Sequence, residues 1–406
     1  MTEKTIFKHL LTAFPSDEEL RSIAERNHST YEATKERITT IFEELRKAQA
    51  GILDDIHRNV FKLFPDDQVR LNGFEGEENL SQYFLCHYNA DHLKEYNEED
   101  MALVTGFGPS NAPTAGTLSM IFRMLDIQRR TNITVHAVIA DLGFINFREA
   151  HVQHIVDTTQ QFLRFIKALG FDESKGILRT QNSLDLYRTF ALSSSVLSLS
   201  DFIDNMEATT GLYNNLHLQG KDFSTLVHYV ICVADILTPI FRDKKKMVLV
   251  MSGIEEFYFT TIARMVIARM KESDKGLSAL IPDDPQICSL FGRLIEGLFP
   301  YVKMSKSIPD SSINIGDSEE SIRNKIMNCG SRNEHVILDM MTLASNWTPQ
   351  TKSECRAAYE AYVNTGHDVS WRKFKAEYTE FFISIKRIWD AAAAPDADIY
   401  GNIYEK

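Results

Sequence analysis

The apolar positions at the start of the chain follow a helical spacing. In the first 70 residues, apolar side chains such as Ile38, Ile41, Phe42 and Leu45 recur every three to four positions, and most positions between them are charged or polar. This spacing is typical of amphipathic helices. We therefore expect residues 1–70 to form a helical extension.

Short continuous apolar runs replace this pattern in the middle of the chain. They cover Ala102–Gly106, Val135–Ala140 and Met247–Met251, and helical spacing returns between them. We also expect the stretch of about residues 171–182, which ends in Ile177–Thr180, to return to the sheet. Runs of this length are typical of buried strands in a parallel sheet that has helices on both faces. The pattern predicts an α/β fold with a doubly wound sheet, which binds its ligands beyond the carboxyl ends of the strands.

Helical spacing resumes from residue 318, with breaks at Pro349 and Gly366. We therefore divide the chain into a helical extension over 1–70, a sheet domain over 71–317 and a helical C-terminal domain over 318–406. A length of 406 residues suits two or three domains.

The charge and the cysteines narrow the class of protein. A net charge of -12 excludes a uniformly basic surface for nucleic acid, although a local basic patch can still bind RNA. Five cysteines without a paired spacing argue against a disulfide framework or a structural zinc site, and favour a cytoplasmic location. Charges interrupt the first eleven residues and there is no apolar run of about 18 residues, so we expect neither a signal peptide nor a membrane span.

Two distant segments have the composition of a nucleotide site. Gly106–Thr117 is a small-residue turn between a predicted strand and a predicted helix, and Lys303–Ser307 contains two lysines and two serines. A helix N-terminus attracts phosphate, Gly116 leaves room for a nucleotide beside the backbone, and the hydroxyls of Thr114 and Thr117 can donate to phosphate. The glycine and lysine spacings match neither a Walker loop nor a kinase loop.

Together with three motifs between them, these segments resemble the tryptophan/tyrosine subclass of class I aminoacyl-tRNA synthetases, in particular its archaeal and eukaryotic tryptophanyl members. The motifs are TGFGPS at 105–110 with TAGT at 114–117, VIADL at 138–142, HYVICVADIL at 228–237, GIEEFYFT at 253–260 and KMSKSIPDSSI at 303–313. The resemblance covers roughly residues 70–390, and the last motif is the most specific.

The resemblance implies a Rossmann-type catalytic domain that uses ATP with Mg²⁺, a C-terminal domain that reads the anticodon of tRNA, and a homodimer. By motif position, the catalytic residues are Thr114, Thr117, Lys303 and Lys306. The residues expected to contact ATP are Gly106, Gly108, Pro109, Ser110, Gly116, Gly253, Glu255, Met304, Ser305 and Ser307. We predict no metal ion held by the protein alone.

The predicted amino-acid pocket departs from the family pattern. Its residues by position are Val104, Asp141, His228, Cys232, Asp235 and Glu256. Val104 and His228 stand where the family commonly has tyrosine, and Cys232 and Glu256 stand where glutamine is common. Asp235 is retained where several members meet an indole N–H or a phenol O–H, so we expect a ligand with a hydrogen-bond donor at its far end. Asp141 fits a pocket acid and a loop-capping residue equally well.

Three functions remain open at this point. The first is activation of an aromatic amino acid, with tryptophan as the first candidate, and its transfer to tRNA. The second is activation of a non-standard amino acid for a specialised pathway, which the altered pocket would suit. The third is a synthetase-like binding protein without catalysis, against which the two retained lysines of the 303–307 segment argue.

Overall fold

A computed structural model provides the coordinates of the protein. It describes residues 14–26, 29–40, 42–43, 60–64, 69–74, 79–147, 151–202, 223–299, 301, 304 and 309–403.

In the described part of the chain, seven strands form one central sheet. Its strands are β1 (Lys62–Leu63), β2 (Phe84–Tyr88), β3 (Met101–Phe107), β4 (Thr134–Ile139), β5 (Gly176–Thr180), β6 (Met247–Ser252) and β7 (Gln286–Gly292). They lie in the order β1-β2-β7-β6-β3-β4-β5. Strands β3 to β7 are parallel, whereas β2 runs antiparallel to β7 and β1 antiparallel to β2. The predicted α/β fold is confirmed.

Helices cover both faces of this sheet. They are α1 (Asp17–Arg26), α2 (Ala115–Arg130), α3 (Asp141–Phe147), α4 (Val152–Ala168), α5 (Leu184–Ser194), α6 (Phe223–Asp243), α7 (Phe257–Glu272), α8 (Glu319–Met327), α9 (Glu334–Leu343), α10 (Pro349–Thr365), α11 (Val369–Ala391) and α12 (Ile399–Ile403), and residues 31–40 are also helical. One apolar core joins α2, α4 and the C-terminal helices to one face of the sheet, and a second core joins α6 and α7 to the other face.

The order of the strands creates a switch point between β3 and β6. From β3 the chain adds β4 and β5 on one side, then returns to add β6 and β7 on the other. Helix α2 follows β3 and helix α7 follows β6, so their N-termini lie at the carboxyl end of the sheet. Open α/β sheets bind their ligands in the crevice at such a point.

The helical prediction for residues 1–70 is wrong near its end. Lys62–Leu63 is a short strand paired with His87 and Cys86 of β2, and the flanking Phe61 and Phe64 are buried in the two cores. A two-residue strand is too short for its alternation to be distinguished from helical spacing. The division of the chain at residue 70 stays a prediction.

Helix α6 is, in the described part of the chain, long and apolar enough to cross a membrane by length and composition. Within its most apolar window, however, 61% is buried inside the protein. Its side chains Tyr229, Val233 and Leu237 pack in the core beneath the sheet. The helix therefore has the surroundings of a core helix.

A buried ion pair ties the C-terminal helices together. The Glu334 carboxylate of α9 accepts hydrogen bonds from Lys375 Nζ at 2.9 Å and Trp371 Nε1 at 2.8 Å, both on α11. All three residues are less than 9% exposed. The buried carboxylate, ammonium and indole N–H of this cluster are thus hydrogen-bonded to one another, as buried polar groups normally are.

Candidate functional site

The turn between β3 and α2 begins the candidate site. Thr114 is the N-cap of α2, and its hydroxyl accepts from the backbone N–H of Thr117 at 3.4 Å. The N–H of Ala115 donates to the carbonyl of Ile313 at 3.1 Å. Among the residues that the structure describes, the Gly116 N–H is therefore the first-turn donor left without a partner. One free donor remains where the sequence suggested several.

The segment after the lysine-serine loop lies directly against this turn. Ile315 N–H donates to the Pro113 carbonyl at 3.2 Å, and Thr114 and Asn314 form an isolated antiparallel bridge. A Cβ on Gly316 would lie 2.9 Å from the Cβ of Ala112, so this close approach requires glycine. Two segments about 200 residues apart in the sequence are thus joined through their backbones.

Within the lysine-serine loop, the structure describes Met304. Met304 is 7% exposed and packs in the core that contains Ala115 and Leu118 of α2. The predicted residues Lys303, Ser305, Lys306 and Ser307 lie outside the described residues. Lys325 supports the following segment, because its Nζ donates to Asp317 Oδ2 at 2.7 Å and to the Ser312 carbonyl at 2.9 Å.

The other predicted ATP contacts surround the turn. Gly106 is the one exposed position of β3 and lies on the same face as Val104. Gly108 packs closely against the Phe144 ring, where a Cβ would overlap it. Pro109 is buried, and the Ser110 carbonyl lies 2.8 Å from His154 Nε2. Gly116 is the open position: of the described atoms, a Cβ there would meet only Thr114 Oγ1, at 3.6 Å.

A second cluster follows β6 on the other side of the switch point. Gly253 caps the 3₁₀ turn Ile254–Glu256, which leads into α7. The backbone of Glu255 lies in this turn, and its side chain is outside the described part of the structure. Glu256 is exposed, and its negative charge contributes to the raised pKa of the Cys232 thiol.

The polar residues of the predicted amino-acid pocket form one network. Asp235 Oδ2 accepts from Gln181 Nε2 at 2.6 Å, and Asp235 Oδ1 lies 2.8 Å from Arg179 Nη1. Gln181 Oε1 accepts from the Gly143 N–H at 2.8 Å, and the Gln181 N–H donates to Asp141 Oδ1 at 2.8 Å. The carboxylate expected to await a ligand donor is therefore paired with an arginine.

Burial governs the ionisation of this network. Asp141 is 4% exposed at the start of α3, and its burial raises its pKa to about 6, against the lowering effect of backbone N–H donors. Burial also raises the pKa of Asp235, and the Arg179 guanidinium is the largest opposing influence. Burial raises the pKa of the Cys232 thiol well above its usual value, so this thiol stays protonated at neutral pH.

The pH dependence of stability should report the burial of Asp141. The unfolded carboxyl loses its proton near pH 3.8 and the folded one near pH 6, so the stability that Asp141 provides at low pH is lost as the pH rises through this window. The free energy of unfolding should decrease by about 3 kcal/mol across this window. Urea unfolding of Asp141→Asn at several pH values between 4 and 7 should show a flatter profile.

Asp185 on α5, whose side chain is 41% exposed, offers a control for that experiment. Asp185→Asn should keep the pH 4 to 6 slope of the unmodified protein. Equal slopes for Asp141→Asn and the unmodified protein would show that Asp141 does not titrate in this window.

The remaining residues of the predicted pocket lie on α6 and β3. His228 lies against Gly143, where a Cβ would overlap its ring, and the His228 Nδ1 is 3.8 Å from Cys232 Sγ. Val104 is 4% exposed and packs in the core with Tyr229 and other side chains of α6. The structure thus brings Asp141, His228, Cys232 and Asp235 together, with Val104 on the neighbouring strand.

Arg179 and Gln181 were not among the site residues expected from the sequence. Arg179 lies near the carboxyl end of β5 and Gln181 directly follows it, beside β4 and the start of α3 at Asp141. The sequence did contain a signal for them, namely a charged side chain and an amide at the carboxyl end of a predicted strand. The carboxyl ends of parallel strands meet at one edge of the sheet, where ligands bind.

The comparisons with known proteins agree with this geometry. The family model for tRNA synthetases class I (W and Y) matches residues 96–386. The chain belongs to this family. Its enzymes join an amino acid to tRNA with the use of ATP. The comparison with curated proteins gives no match.

Solved structures of tryptophanyl-tRNA synthetases share the fold. The enzyme from the archaeon Aeropyrum pernix K1 is 18% identical, with a TM-score of 0.60, over 87% of this chain and 100% of that one. A tryptophanyl-tRNA synthetase homolog from Entamoeba histolytica is 16% identical, with a TM-score of 0.62, over 86% and 95%. The tyrosyl-tRNA synthetase from Archaeoglobus fulgidus, complexed with L-tyrosine, is 17% identical, with a TM-score of 0.54, over 74% and 92%.

Proposed function

We propose that the protein activates an aromatic amino acid with ATP and transfers it to tRNA, with tryptophan as the first candidate. The observation that supports this proposal is the pairing of the 112–117 turn with the 313–316 segment. This pairing would bring the lysine-serine loop to the N-terminus of α2, at the switch point of the sheet. A helix N-terminus that binds phosphate and a cationic loop beside it would together stabilise the negative charge that develops when a nucleotidyl group is transferred.

Residues of the turn would hold the nucleotide in this proposal. The Gly116 N–H, which has no partner among the described residues, and the hydroxyls of Thr114 and Thr117 would contact it. Lys303 and Lys306 would bind the departing pyrophosphate. Mg²⁺ would arrive with ATP, because this ion commonly binds through substrate phosphates and keeps several waters. The attacking carboxylate of the amino acid would enter between β3 and α6.

The proposal is tested by ATP–pyrophosphate exchange with each standard amino acid, followed by charging of total tRNA. We expect exchange with aromatic amino acids alone and formation of an aminoacyl ester on tRNA. Exchange without charging of tRNA would contradict transfer to tRNA and would favour activation of the amino acid for a specialised pathway. Amino-acid binding without any exchange would contradict catalysis and support a binding protein.

The quaternary structure and the role of the C-terminal domain also belong to the proposal. We expect a homodimer, which light scattering at micromolar protein concentration would measure directly. We also expect the 318–406 domain to contact the anticodon, so charging of tRNA should depend on anticodon bases. A monomer that charges tRNA at full rate would contradict the proposed dimer.

A further inference from the structure

The far end of the predicted amino-acid pocket contains a pair of opposite charges. Arg179 Nη1 and Asp235 Oδ1 are 2.8 Å apart, and their side chains are only 11% and 10% exposed. Each charge therefore compensates the other, and Gln181 Nε2 occupies the second oxygen of the carboxylate at 2.6 Å. A ligand entering this end meets an ion pair and not an isolated acid.

Both members of the pair keep unused hydrogen-bonding atoms. Arg179 Nη1 also donates to the Thr180 carbonyl at 3.2 Å. Arg179 Nε and Nη2 are buried without a hydrogen-bond partner among the described residues, and the ion pair leaves Asp235 Oδ1 without a well-aligned donor. Buried donors and acceptors are normally satisfied, so these atoms point to a ligand or water that completes them.

A hydroxyl group matches this set of atoms. Its oxygen can accept from the guanidinium while its hydrogen is donated to a carboxylate oxygen. An indole N–H can satisfy only the carboxylate, and an unsubstituted phenyl ring can satisfy neither group. The presence of Arg179 therefore changes the ligand that the retained Asp235 would otherwise favour.

We propose that Arg179 is a specificity-determining residue and that the pocket takes an aromatic amino acid with a hydroxyl at the far edge of its ring. This inference rests on the proposed function, since it refines the substrate class of the same site. Arg179 is suited to this role because its planar fork presents several donors in fixed directions. If Arg179 served only to neutralise Asp235, its Nη1 atom would be enough, and Nε and Nη2 would not be needed.

Two matched pairs of amino acids test the inference. Tyrosine differs from phenylalanine, and 5-hydroxytryptophan from tryptophan, only by the ring hydroxyl. In ATP–pyrophosphate exchange with the unmodified protein, kcat/KM should favour the hydroxylated member of at least one pair by roughly 10–100-fold. Equal kcat/KM values within both pairs, or a preference for the parent ring in both, would overturn the inference.

A double variant removes both charges and retains a similar side-chain volume. Arg179→Met combined with Asp235→Asn avoids the unpaired buried carboxylate that Arg179→Met alone would leave. The hydroxyl preference should fall to within a few-fold in this variant. Arg188→Met, which changes an exposed arginine on the neighbouring helix α5, should leave it unchanged. A preference that survives the double variant would contradict a role for Arg179.

Direct binding separates this inference from the proposed function. Calorimetric titration of the same four amino acids does not require catalysis. If none supports pyrophosphate exchange, the proposed function fails, and the ranking of affinities still tests Arg179. Tighter binding of a hydroxylated member, lost in the double variant, supports the inference, whereas equal affinities within both pairs contradict it.

Discussion

Replacing Lys306 by alanine should slow formation of the aminoacyl-adenylate by about 10²–10³-fold and leave amino-acid binding nearly unchanged. Negative charge develops on the phosphates as pyrophosphate leaves, and a lysine on the loop would stabilise that charge mainly in the transition state. The described residues near Lys306 support this role, because Met304 is buried in the core that also contains α2, and the Ile315 N–H donates to the Pro113 carbonyl of the turn. Single-turnover adenylate formation and equilibrium titration of the amino acid measure the two effects separately.

A surface lysine of the same domain provides the control. Lys275 is exposed in the turn after α7, and Lys275→Ala should alter neither quantity. Full single-turnover activity of Lys306→Ala would show that the loop cation does not act on the leaving group. Weaker amino-acid binding with an unchanged single-turnover rate would indicate that Lys306 stabilises the ground state as much as the transition state.

The sequence could predict the inner sheet because its strands carry a simple signal. β3, β4 and β6 are nearly continuous apolar runs, since helices cover both faces of the parallel sheet. β7 has a weaker signal, because Ser289 interrupts its apolar run. The Ser289 hydroxyl is buried and lies 2.8 Å from the hydroxyl of Thr260 on α7, a partner that only the folded chain supplies.

The candidate site likewise has a part that could be predicted from the sequence and a part that could not. The motifs around Thr114 and Ile313 could be assigned to one nucleotide site, and the structure joins them through backbone hydrogen bonds. The environment of Asp235 could not be predicted. Its partner Arg179 lies on β5, and their contact depends on the packing of α6 against that strand. Residue types at motif positions therefore indicated the chemistry, whereas the charge of the pocket depends on tertiary contacts.

Replacing Gly116 by valine should weaken ATP binding on the order of 10²-fold or more while the protein stays folded. Gly116 occupies the second position of α2. Among the described residues, its N–H has no partner and a Cβ would meet no atom closer than Thr114 Oγ1 at 3.6 Å. The two methyl groups of valine would therefore project into the space proposed for the nucleotide, not into the core. Equilibrium titration with ATP and thermal unfolding of the same samples measure both expectations.

Gln350→Val is a matched control for the cost of a β-branched residue at this helical position. Gln350 is the exposed second residue of α10, where no ligand is proposed. Because valine has a lower helix propensity than glutamine by only a few tenths of a kcal/mol, this variant should bind ATP normally. Gly116→Ala should fall between the unmodified protein and Gly116→Val, since its single methyl group has room. Unchanged ATP affinity in a folded Gly116→Val protein would place the nucleotide away from the N-terminus of α2 and contradict the proposed site.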